Sequence, residues 1–393
     1  MARIAFLVND LTVVGGSTKV TYQLANQWSK HHQVKLLGLF QSQPHFPFLL
    51  ESSILTQTLY KKPCQIHELK TYFYFLKTGQ WKPCFQLIQT LIYLWLNRSK
   101  VRKKLSKALS EVEVVVIPDV HGLSFLPFEV LKEKKIVVHL HNTVSFLSQN
   151  PMIMKTLSRF QSDIDQFVLL TQHDAQNFQQ LGFHQSTFIY NEVQLPQHIL
   201  FPRSQPQTEK VVFLGRLDSR KGVECLVPLM KELLIKRPQA ELHIYGDGPE
   251  RVKLKKAIQE ARLQEQITLH GHTTSLDEVF QEASCFWLTS KWEGLPLTLL
   301  EAFAYGVPAV AFRCFDGIEE IILQGQNGYI VSPFNLIEMV ERTEQLLAQP
   351  YHWEEVGQRA REQVSRFAPT TIHQEWEMLL QQLLSDQTKR EAR

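Results

Sequence analysis

The sequence predicts an α/β protein built from two doubly wound, Rossmann-like domains that face each other across a cleft. Short β-branched and apolar runs alternate with loops and helical segments in both halves of the chain. This alternation is typical of parallel sheets that are covered by helices. The chain of 393 residues exceeds what one hydrophobic core usually organises, and a polar stretch with several prolines interrupts the alternation near its middle.

The N-terminal domain is predicted to cover residues 1–191. Its strands are expected at residues 3–8, 34–40, 112–117, 136–141 and 167–171. Residues 41–110 are less regular, and the pattern there indicates only a long helix around residues 85–109. Residues 192–209 contain three prolines and are predicted to form the hinge linker between the domains.

The C-terminal domain is predicted to cover residues 210–366. Its strands are expected at residues 211–214, 241–245, 267–270, 285–288, 309–312 and 329–331. Residues 367–393 carry apolar side chains at helical spacing. We therefore expect an amphipathic C-terminal helix that crosses between the two domains.

Composition and charge exclude several classes of protein. The formal net charge of +3, without a recognisable binding module, gives little support to nucleic-acid binding. Five scattered cysteines without CxxC spacing argue against a disulfide framework and a zinc site. No signal peptide is evident, and no apolar stretch reaches the ~18 residues of a spanning helix. We expect a cytoplasmic protein.

The segment over residues 283–306 gives the strongest indication of a functional site. It predicts a strand, a loop and a helix over residues 296–304, with Pro296 at the first helical position. The helix is apolar apart from Glu301, whose buried carboxylate requires a polar partner. Glu293 lies in the preceding loop, beside a helix N-terminus that suits a phosphate. A solvated Glu293 and a core ion pair for Glu301 are the alternative interpretation.

A second charged segment follows the strand at residues 211–214. Arg216 and Lys221 lie in its exit loop, directly before a predicted helix. A guanidinium and an ammonium in this position favour a polyanion such as a diphosphate, and a solvated basic loop is the alternative. Glycine turns at Gly246 and at Gly15–Gly16 allow close approach to a ligand, but they are equally compatible with structural turns.

Taken in order, these motifs resemble family 4 of the retaining nucleotide-sugar-dependent glycosyltransferases, which have the GT-B fold. The resemblance is close over residues 210–365 and loose at the Gly15–Gly16 loop. The matching motifs are Gly215-Arg216-(x4)-Lys221-Gly222, Gly246-Asp247-Gly248-Pro249, Glu293-(x7)-Glu301, Gly306-Val307-Pro308 and Gln326-Asn327-Gly328.

The resemblance implies roles for individual residues. Arg216 and Lys221 would hold the donor diphosphate and neutralise the charge that develops on the leaving phosphate. Glu301 would accept hydrogen bonds from the ribose, and Glu293 would contact the transferred sugar. The further donor-binding positions are Gly15, Gly16, Gly215, Gly246, Gly294, Leu297 and Thr298. We expect no bound cofactor and no metal, because the cationic side chains would fill the metal's role.

Histidines in the N-terminal half are further candidates. His139 and His141 lie on one face of a predicted strand, with His141 at its carboxyl end. The resemblance implies that His141 contacts the donor sugar or the acceptor, whereas His139 and His121 are weaker candidates. A hydrogen-bonded core histidine is the structural alternative.

The implied function is transfer of a hexose or N-acetylhexosamine from a nucleoside diphosphate donor, expected to be UDP-linked. The acceptor is expected to be a glycan, a polyol phosphate or a lipid-linked glycan. Phe315-Asp316-Gly317 departs from the small residues often found there in the family, which leaves the transferred sugar open. A nucleotide-sugar epimerase and a non-catalytic GT-B partner subunit are the rival functions.

Residues 72–107 favour contact with an anionic membrane surface at the inner face of the membrane. Aromatic and apolar side chains at residues 72–75 and 85–96 precede a basic run that contains no acid. The run consists of Arg98, Lys100, Arg102, Lys103, Lys104 and Lys107. A core helix with a solvated basic end is the alternative.

Overall fold

The computed structural model describes residues 1–60, 97–196, 209–348 and 350–391. The chain divides into two compact units. Unit 1 comprises Met1–Leu170, Ala175–Ile189 and Glu375–Arg393, and unit 2 comprises Thr171–Asp174 and Tyr190–Gln374. Each unit is built on a parallel sheet with helices, so the predicted fold class of two doubly wound α/β domains is confirmed.

Unit 1 contains a seven-stranded parallel sheet in the described residues, in the order β3-β2-β1-β4-β5-β6-β7. Its strands are β1 (Arg3–Asp10), β2 (Gln33–Phe40), β3 (Leu55–Tyr60), β4 (Val114–Ile117), β5 (Lys135–His139), β6 (Gln166–Leu169) and β7 (Ser186–Phe188). The helices of the first half are α1 (Gly16–Trp28), α2 (Arg98–Ala108), α3 (Phe128–Glu133), α4 (Val144–Ser148), α5 (Pro151–Phe160) and α6 (Gln172–Gln180).

Unit 2 contains a six-stranded parallel sheet in the described residues, in the order β10-β9-β8-β11-β12-β13. Its strands are β8 (Glu209–Leu214), β9 (Ala240–Tyr245), β10 (Ile267–Gly271), β11 (Cys285–Leu288), β12 (Ala309–Phe312) and β13 (Gly328–Val331). The helices of the second half are α7 (Leu226–Lys236), α8 (Arg251–Ala261), α9 (Leu276–Phe280), α10 (Leu297–Ala304), α11 (Leu336–Leu347), α12 (Pro350–Val364) and α13 (Pro369–Glu391).

The strand order of unit 2 creates a switch point between β8 and β11. From β8 the sheet grows first through β9 and β10, and then on the other side through β11, β12 and β13. Val211 pairs with Cys285 and Val212 with Phe286, so the carboxyl ends of β8 and β11 are neighbours. Open α/β sheets bind ligands at such a point. The apolar strands β11 and β12 are buried along their whole length and give the loops above them a rigid base.

Several predicted elements differ from the structure. The strands β3 and β7 were not predicted, and of the long helix expected around residues 85–109 the structure describes α2, because residues 61–96 lie outside the described residues. The placement of Pro296 at the first helical position was wrong: it is the N-cap, and α10 begins one residue later. Residues 197–208 of the predicted hinge also lie outside the described residues.

Two helices contribute residues to both units. The first residues of α6, up to Asp174, group with unit 2, and the C-terminal helix α13 changes from unit 2 to unit 1 at Glu375. Within unit 2, the Glu320 carboxylate accepts the backbone N–H groups of Gln172 and His173 at 3.0 and 2.8 Å. It therefore caps the first turn of α6, a favourable position for negative charge.

No helix among the described residues combines the length and the apolar composition needed to cross a membrane.

Candidate functional site

The loops that leave β8 and β11 are tied together at the switch point of unit 2. Thr289 Oγ1 donates a hydrogen bond to the backbone carbonyl of Lys221 at 2.8 Å. The backbone N–H of Lys291 donates to the carbonyl of Arg220, also at 2.8 Å. These contacts hold residues 215–222 against the end of β11.

Lys221 and Glu293 form an ion pair between the same two loops. Lys221 Nζ lies 2.5 Å from Glu293 Oε1, and Ser290 Oγ donates to that oxygen at 2.6 Å. Only 14% of the lysine side chain and 11% of the glutamate side chain are exposed. Each charge therefore compensates the other in a largely dry environment. Glu293 Oε2 takes part in no hydrogen bond within the described part of the chain.

Gly222 allows these loops to pack closely. Its φ of +64° is left-handed, and a Cβ added there would lie 2.0 Å from the backbone oxygen of Thr289. Only glycine satisfies both conditions. The left-handed residue also ends the 3₁₀ turn Ser219–Lys221, so α7 begins only at Leu226. A second 3₁₀ turn, Val223–Cys225, follows Gly222 and leads directly into α7, so the loop that carries Lys221 precedes a helix as predicted.

Gly246 has a packing role behind the β8 loop. Its φ is +133°, and a Cβ there would lie 1.8 Å from the backbone oxygen of Gly215. A Cβ at Gly215 itself would make ordinary contacts, the nearest at 3.6 Å, including contact with the side-chain carbons of Lys221. The lysine stem thus lies along the Gly215 backbone. Donor contact by either glycine stays a prediction.

Arg216 extends towards solvent from the β8 loop. Its side chain is 65% exposed, and Nε lies 3.7 Å from Asp218 Oδ2. Asp218 also accepts the backbone N–H groups of Arg220 and Lys221 at 3.1 Å each. The loop is thereby stiffened, while the outer part of the Arg216 guanidinium stays accessible.

The N-terminus of α10 lies directly after the Glu293 loop. Gly294 and Leu295 connect Glu293 to Pro296, the N-cap of the helix. Pro296 provides no side-chain cap, and the first turn contains no acidic residue. The first N–H groups of any α-helix lack intrahelical acceptors. Thr298 Oγ1 is buried and has no hydrogen-bond partner in the described residues. This end of the helix therefore has donors that suit an anion.

Glu301 lies one turn further along α10 and is only 7% exposed, as its apolar surroundings predict. The residue has an interaction partner, so its carboxylate is not isolated. Its negative charge helps to raise the pKa of Tyr305, after burial and the contact of that hydroxyl with Asp277. The sequence predicts four charged residues at this site: Arg216, Lys221, Glu293 and Glu301. Of these, the structure brings Lys221 and Glu293 into direct contact.

Sequence reasoning missed three residues of this site: Thr289, Ser290 and Cys314. The first two directly follow the predicted strand at residues 285–288, and two hydroxyl residues after this apolar run signal a polar edge. The Cys314 carbonyl accepts the backbone N–H of Glu293 at 3.0 Å. Burial, and secondarily the charge of Glu293, raise the pKa of the Cys314 thiol well above its usual range.

The remaining predicted residues lie in unit 1. Gly15 and Gly16 stand at the start of α1, and a Cβ on either would meet only open space. Gly15 has an extended backbone that any residue adopts, so nothing in its conformation requires glycine. Both positions leave room for a ligand. Their donor contact stays a prediction.

His139, the last residue of β5, and His141 hold their rings against each other in a tilted arrangement. Their ring centroids are 4.1 Å apart, and Nε2 of each ring is buried without a hydrogen-bond partner in the described residues. Burial lowers the pKa of His141 to about 4. Burial, with the charge of His141, lowers the pKa of His139 well below its usual value. Both rings are therefore neutral at pH 7.

His121 is exposed in the 3₁₀ helix Val120–Phe125, and its backbone N–H donates to Asp119 Oδ1 at 3.0 Å. This geometry gives no further support to a contact between His121 and the donor sugar or the acceptor. No group of three or more His, Cys, Asp or Glu side chains within the described ranges could hold a metal ion.

Comparison with known proteins finds similarity to glycosyltransferases. The family model described as "Glycosyl transferases group 1" matches residues 200–363. An uncharacterized glycosyltransferase of Haemophilus influenzae is 23% identical over 97% of this chain and 100% of its own length. The amylovoran biosynthesis glycosyltransferase AmsD of Erwinia amylovora is also 23% identical, with the same two coverages.

A solved structure agrees over nearly the whole chain. The crystal structure of an S. aureus TarM mutant in complex with fondaparinux, alpha-GlcNAc-glycerol and UDP superposes with a TM-score of 0.75. It covers 96% of this chain and 99% of the TarM chain at 15% identity. The fold is GT-B. Together with the family match and the two relatives, it supports a glycosyltransferase.

Proposed function

We propose that this protein is a retaining glycosyltransferase of cell-surface polysaccharide or glycoconjugate synthesis. It moves a hexose or N-acetylhexosamine from a UDP-linked donor to a glycan, a polyol phosphate or a lipid-linked acceptor. The observation that carries the proposal is the buried Lys221–Glu293 pair at the switch point of unit 2. The UDP in the TarM complex and the amylovoran role in the name of the Erwinia relative support the donor and the pathway class.

The donor diphosphate is assigned to three groups of positive potential. The ammonium of Lys221 has three donor positions, of which Glu293 takes one. The accessible guanidinium of Arg216 can grip phosphate oxygens in a fork. The N–H groups at the start of α10, with the unpartnered hydroxyl of Thr298, complete the set. No metal is required in this proposal, because these groups neutralise the leaving diphosphate.

The two carboxylates are assigned to hydroxyl groups of the donor. Glu293 Oε1 is occupied by Lys221 and Ser290, which leaves Oε2 to accept a hydrogen bond from the transferred sugar. Glu301 is buried within α10 and is assigned to the ribose hydroxyls. Lys221 and Glu293 thus fix the diphosphate and the sugar of one donor at a common point.

The reaction that fits these roles needs no protein nucleophile. The bond between the anomeric carbon and the diphosphate oxygen breaks, and the diphosphate leaves with the electron pair. The acceptor oxygen attacks the same face, and the leaving phosphate takes the acceptor proton. Lys221 and Arg216 lower the barrier by stabilising the charge that develops on the diphosphate. Neutral His141 is the proposed further contact to sugar or acceptor.

A donor panel tests this proposal. UDP-glucose, UDP-galactose and their N-acetyl counterparts are incubated with saccharide and polyol phosphate acceptors, and UDP release and the anomeric configuration of the product are followed by NMR. Acceptor-dependent UDP release with retained configuration is expected, and it should be lost in Glu301→Ala. Isomerised donor without acceptor would identify an epimerase instead. No donor binding at all would indicate a non-catalytic subunit.

We also propose that α2 brings the protein to an anionic membrane at the cytoplasmic face. Its exposed side chains include five cations and no acid: Arg98, Lys100, Lys103, Lys104 and Lys107. The apolar part of the predicted contact, residues 72–96, lies outside the described residues. Flotation with vesicles that contain phosphatidylglycerol should recover the wild type. Equal recovery of a variant with Lys100, Lys103 and Lys107 all replaced by Gln would contradict the membrane role of α2.

A further inference from the structure

Unit 1 contains a cavity that the proposed transfer reaction does not use. It has a volume of about 250 Å³ and lies among α2, α3 and α5. Its charged lining consists of Arg102, Arg159 and Asp163, and its apolar lining of Leu126, Phe128, Leu131 and Phe160. We refer to it as the arginine cavity.

The charges that line the arginine cavity are not balanced. Neither Arg102 nor Arg159 forms an ion pair with a carboxylate in the described part of the chain. Arg102 Nε is buried without a hydrogen-bond partner there. Burial, followed by the like charges of Arg98 and Arg159, lowers the pKa of Arg102, against a smaller opposite effect of the Glu129 carboxylate. With two guanidinium groups and one carboxylate, Asp163, the lining keeps a net positive charge that favours an anionic ligand, and guanidinium groups suit phosphate in particular.

The apolar lining restricts the class of anion. Leu126, Leu131 and Phe160 are buried at the cavity, and the guanidinium of Arg159 lies 5.6 Å from the ring centroid of Phe160. Phe128 is 58% exposed, and its ring extends the apolar wall to the surface. A free phosphate or a polyol phosphate chain would leave these surfaces unused. A phosphate joined to an apolar group would use both parts of the lining.

The location of the cavity agrees with this chemistry. Arg102 belongs to α2, whose other basic side chains are exposed: Arg98, Lys100, Lys103, Lys104 and Lys107. On α5, Met152 is 64% exposed, an apolar side chain at the surface of the helix that carries Arg159. Exposed basic side chains together with exposed apolar ones are typical of surfaces that contact anionic lipid.

We propose that the arginine cavity binds the phosphate of one anionic phospholipid headgroup, with Phe128 and its apolar neighbours against the glycerol and proximal acyl carbons. The site rests on the membrane contact in the proposed function and deepens it, because it changes a diffuse attraction into a bound headgroup. It is separate from the donor site, which lies in unit 2.

Calorimetry with a monomeric short-chain lipid tests the site without a membrane. Dihexanoyl phosphatidylglycerol, below its micelle concentration, is titrated into wild type, Arg102→Gln and Lys30→Gln. Both substitutions remove one positive charge from unit 1, but Lys30 is an exposed residue that neither lines the cavity nor belongs to α2. Loss of charged hydrogen bonds should weaken binding about tenfold in Arg102→Gln. The Lys30 variant should stay within about twofold of wild type, since exposed charges contribute little.

Three outcomes would overturn the site. They are no binding to the wild type, equal losses in the two variants, and inorganic phosphate binding as tightly as the lipid. Should Arg102→Gln fail to fold, Arg159→Gln replaces it, because Arg159 is exposed on α5. UDP titrated into the same samples separates this inference from the donor site. Lipid binding without UDP binding would contradict the proposed transferase function and support the headgroup site. UDP binding without lipid binding would support the donor site and contradict the headgroup site.

Discussion

At the scale of residues, the Lys221–Glu293 pair determines the chemistry proposed for the site. Both charged side chains are largely buried. The Lys221 ammonium and the Ser290 hydroxyl donate to the same oxygen, Glu293 Oε1. Removal of either partner leaves the other charge buried and uncompensated, which costs more than the pair itself contributes. The pair therefore fixes the lysine ammonium at the switch point before a donor arrives.

A double-mutant cycle measures this coupling. Lys221→Met and Glu293→Gln should each lower the free energy of unfolding by about 2–3 kcal/mol, because each leaves a buried group without its partner. The double variant should lose less than the sum, with a coupling energy of about 1 kcal/mol or more. Urea unfolding followed by circular dichroism gives the four values. Strictly additive losses would contradict the pair.

The neighbouring rings of His139 and His141 predict a pH dependence of stability. The pKa of His141 is about 4 in the folded protein because the ring is buried, whereas an unfolded histidine has a pKa of about 6.5. The unfolded chain therefore binds more protons between these values, and stability falls as the pH is lowered from about 6.5 to 4. The pKa of His139, also lowered by burial, adds to the same loss.

His141→Gln should reduce that loss. Between pH 7 and pH 4, the free energy of unfolding should fall by about 2 kcal/mol less in the variant than in wild type, allowing for the partial exposure of residue His141. Chemical unfolding at pH 7, 6, 5 and 4 provides the comparison. His121→Gln, at an exposed histidine, is the matched control, and equal slopes in both variants would contradict the burial argument.

The sequence could predict candidate residues of the site, but not all of their partners. Lys221 and Glu293 were both selected from charge and position, yet they are distant in the chain and meet only because β8 and β11 are adjacent. The contribution of Ser290 was hidden for the same reason. Glu301 was predictable, since one carboxylate in an apolar helix signals burial.

At the scale of elements, the site depends on how closely the switch-point loops approach each other. Gly222 allows this approach in two ways. Its backbone adopts a left-handed conformation, and the Thr289 carbonyl occupies the space that a Cβ would need. The contacts from Thr289 and Lys291 to the β8 loop follow from it. One glycine thus positions the lysine next to it in the chain.

Gly222→Ala tests this dependence. The added methyl group must displace the Thr289 carbonyl, so UDP affinity should fall about tenfold or more, in addition to a left-handed backbone penalty of about 1–2 kcal/mol. Gly325→Ala is the matched control. Its φ is +74°, but the nearest atom to its added Cβ would be 3.9 Å away. Equal UDP affinities of the two variants, measured by calorimetry, would exclude a role for the close approach.

The C-terminal helix is anchored to unit 1 by one aromatic side chain. The ring of Trp376 lies 5.6 Å from that of Trp28 and 5.0 Å from that of His139. Trp376→Ala should lower the free energy of unfolding by about 3–5 kcal/mol, because it leaves a large cavity. Met378→Ala, at a side chain that is 62% exposed, is the control and should be near neutral. Similar losses in thermal scans of both variants would contradict this anchor.

The strands of unit 2 were predictable to within two residues, because buried parallel strands are continuous apolar runs. In unit 1 the strand β3 was missed, since three of its six residues are exposed and its sequence, LTQTLY, lacks a continuous apolar run. The strand β7 has only three residues. Both lie at edges of the sheet, where burial imposes the weakest pattern on the sequence.

At the scale of the whole molecule, two parallel sheets were predictable from the repeated alternation of strands and helices. The exact membership of the units was not. Thr171–Asp174 groups with unit 2 although its neighbours in the chain belong to unit 1. Glu320 explains this through its hydrogen bonds to Gln172 and His173, which no local pattern reveals.

The central claim is that a UDP-linked donor binds unit 2 through Lys221. Calorimetric titration of UDP into wild type, Lys221→Met and Lys231→Met tests it most directly, because Lys231 is an exposed lysine of the same unit. The account predicts a loss of about tenfold or more in UDP affinity for Lys221→Met, typical of a charged hydrogen bond, and less than about twofold for Lys231→Met. An unchanged affinity in a folded Lys221 variant would contradict it.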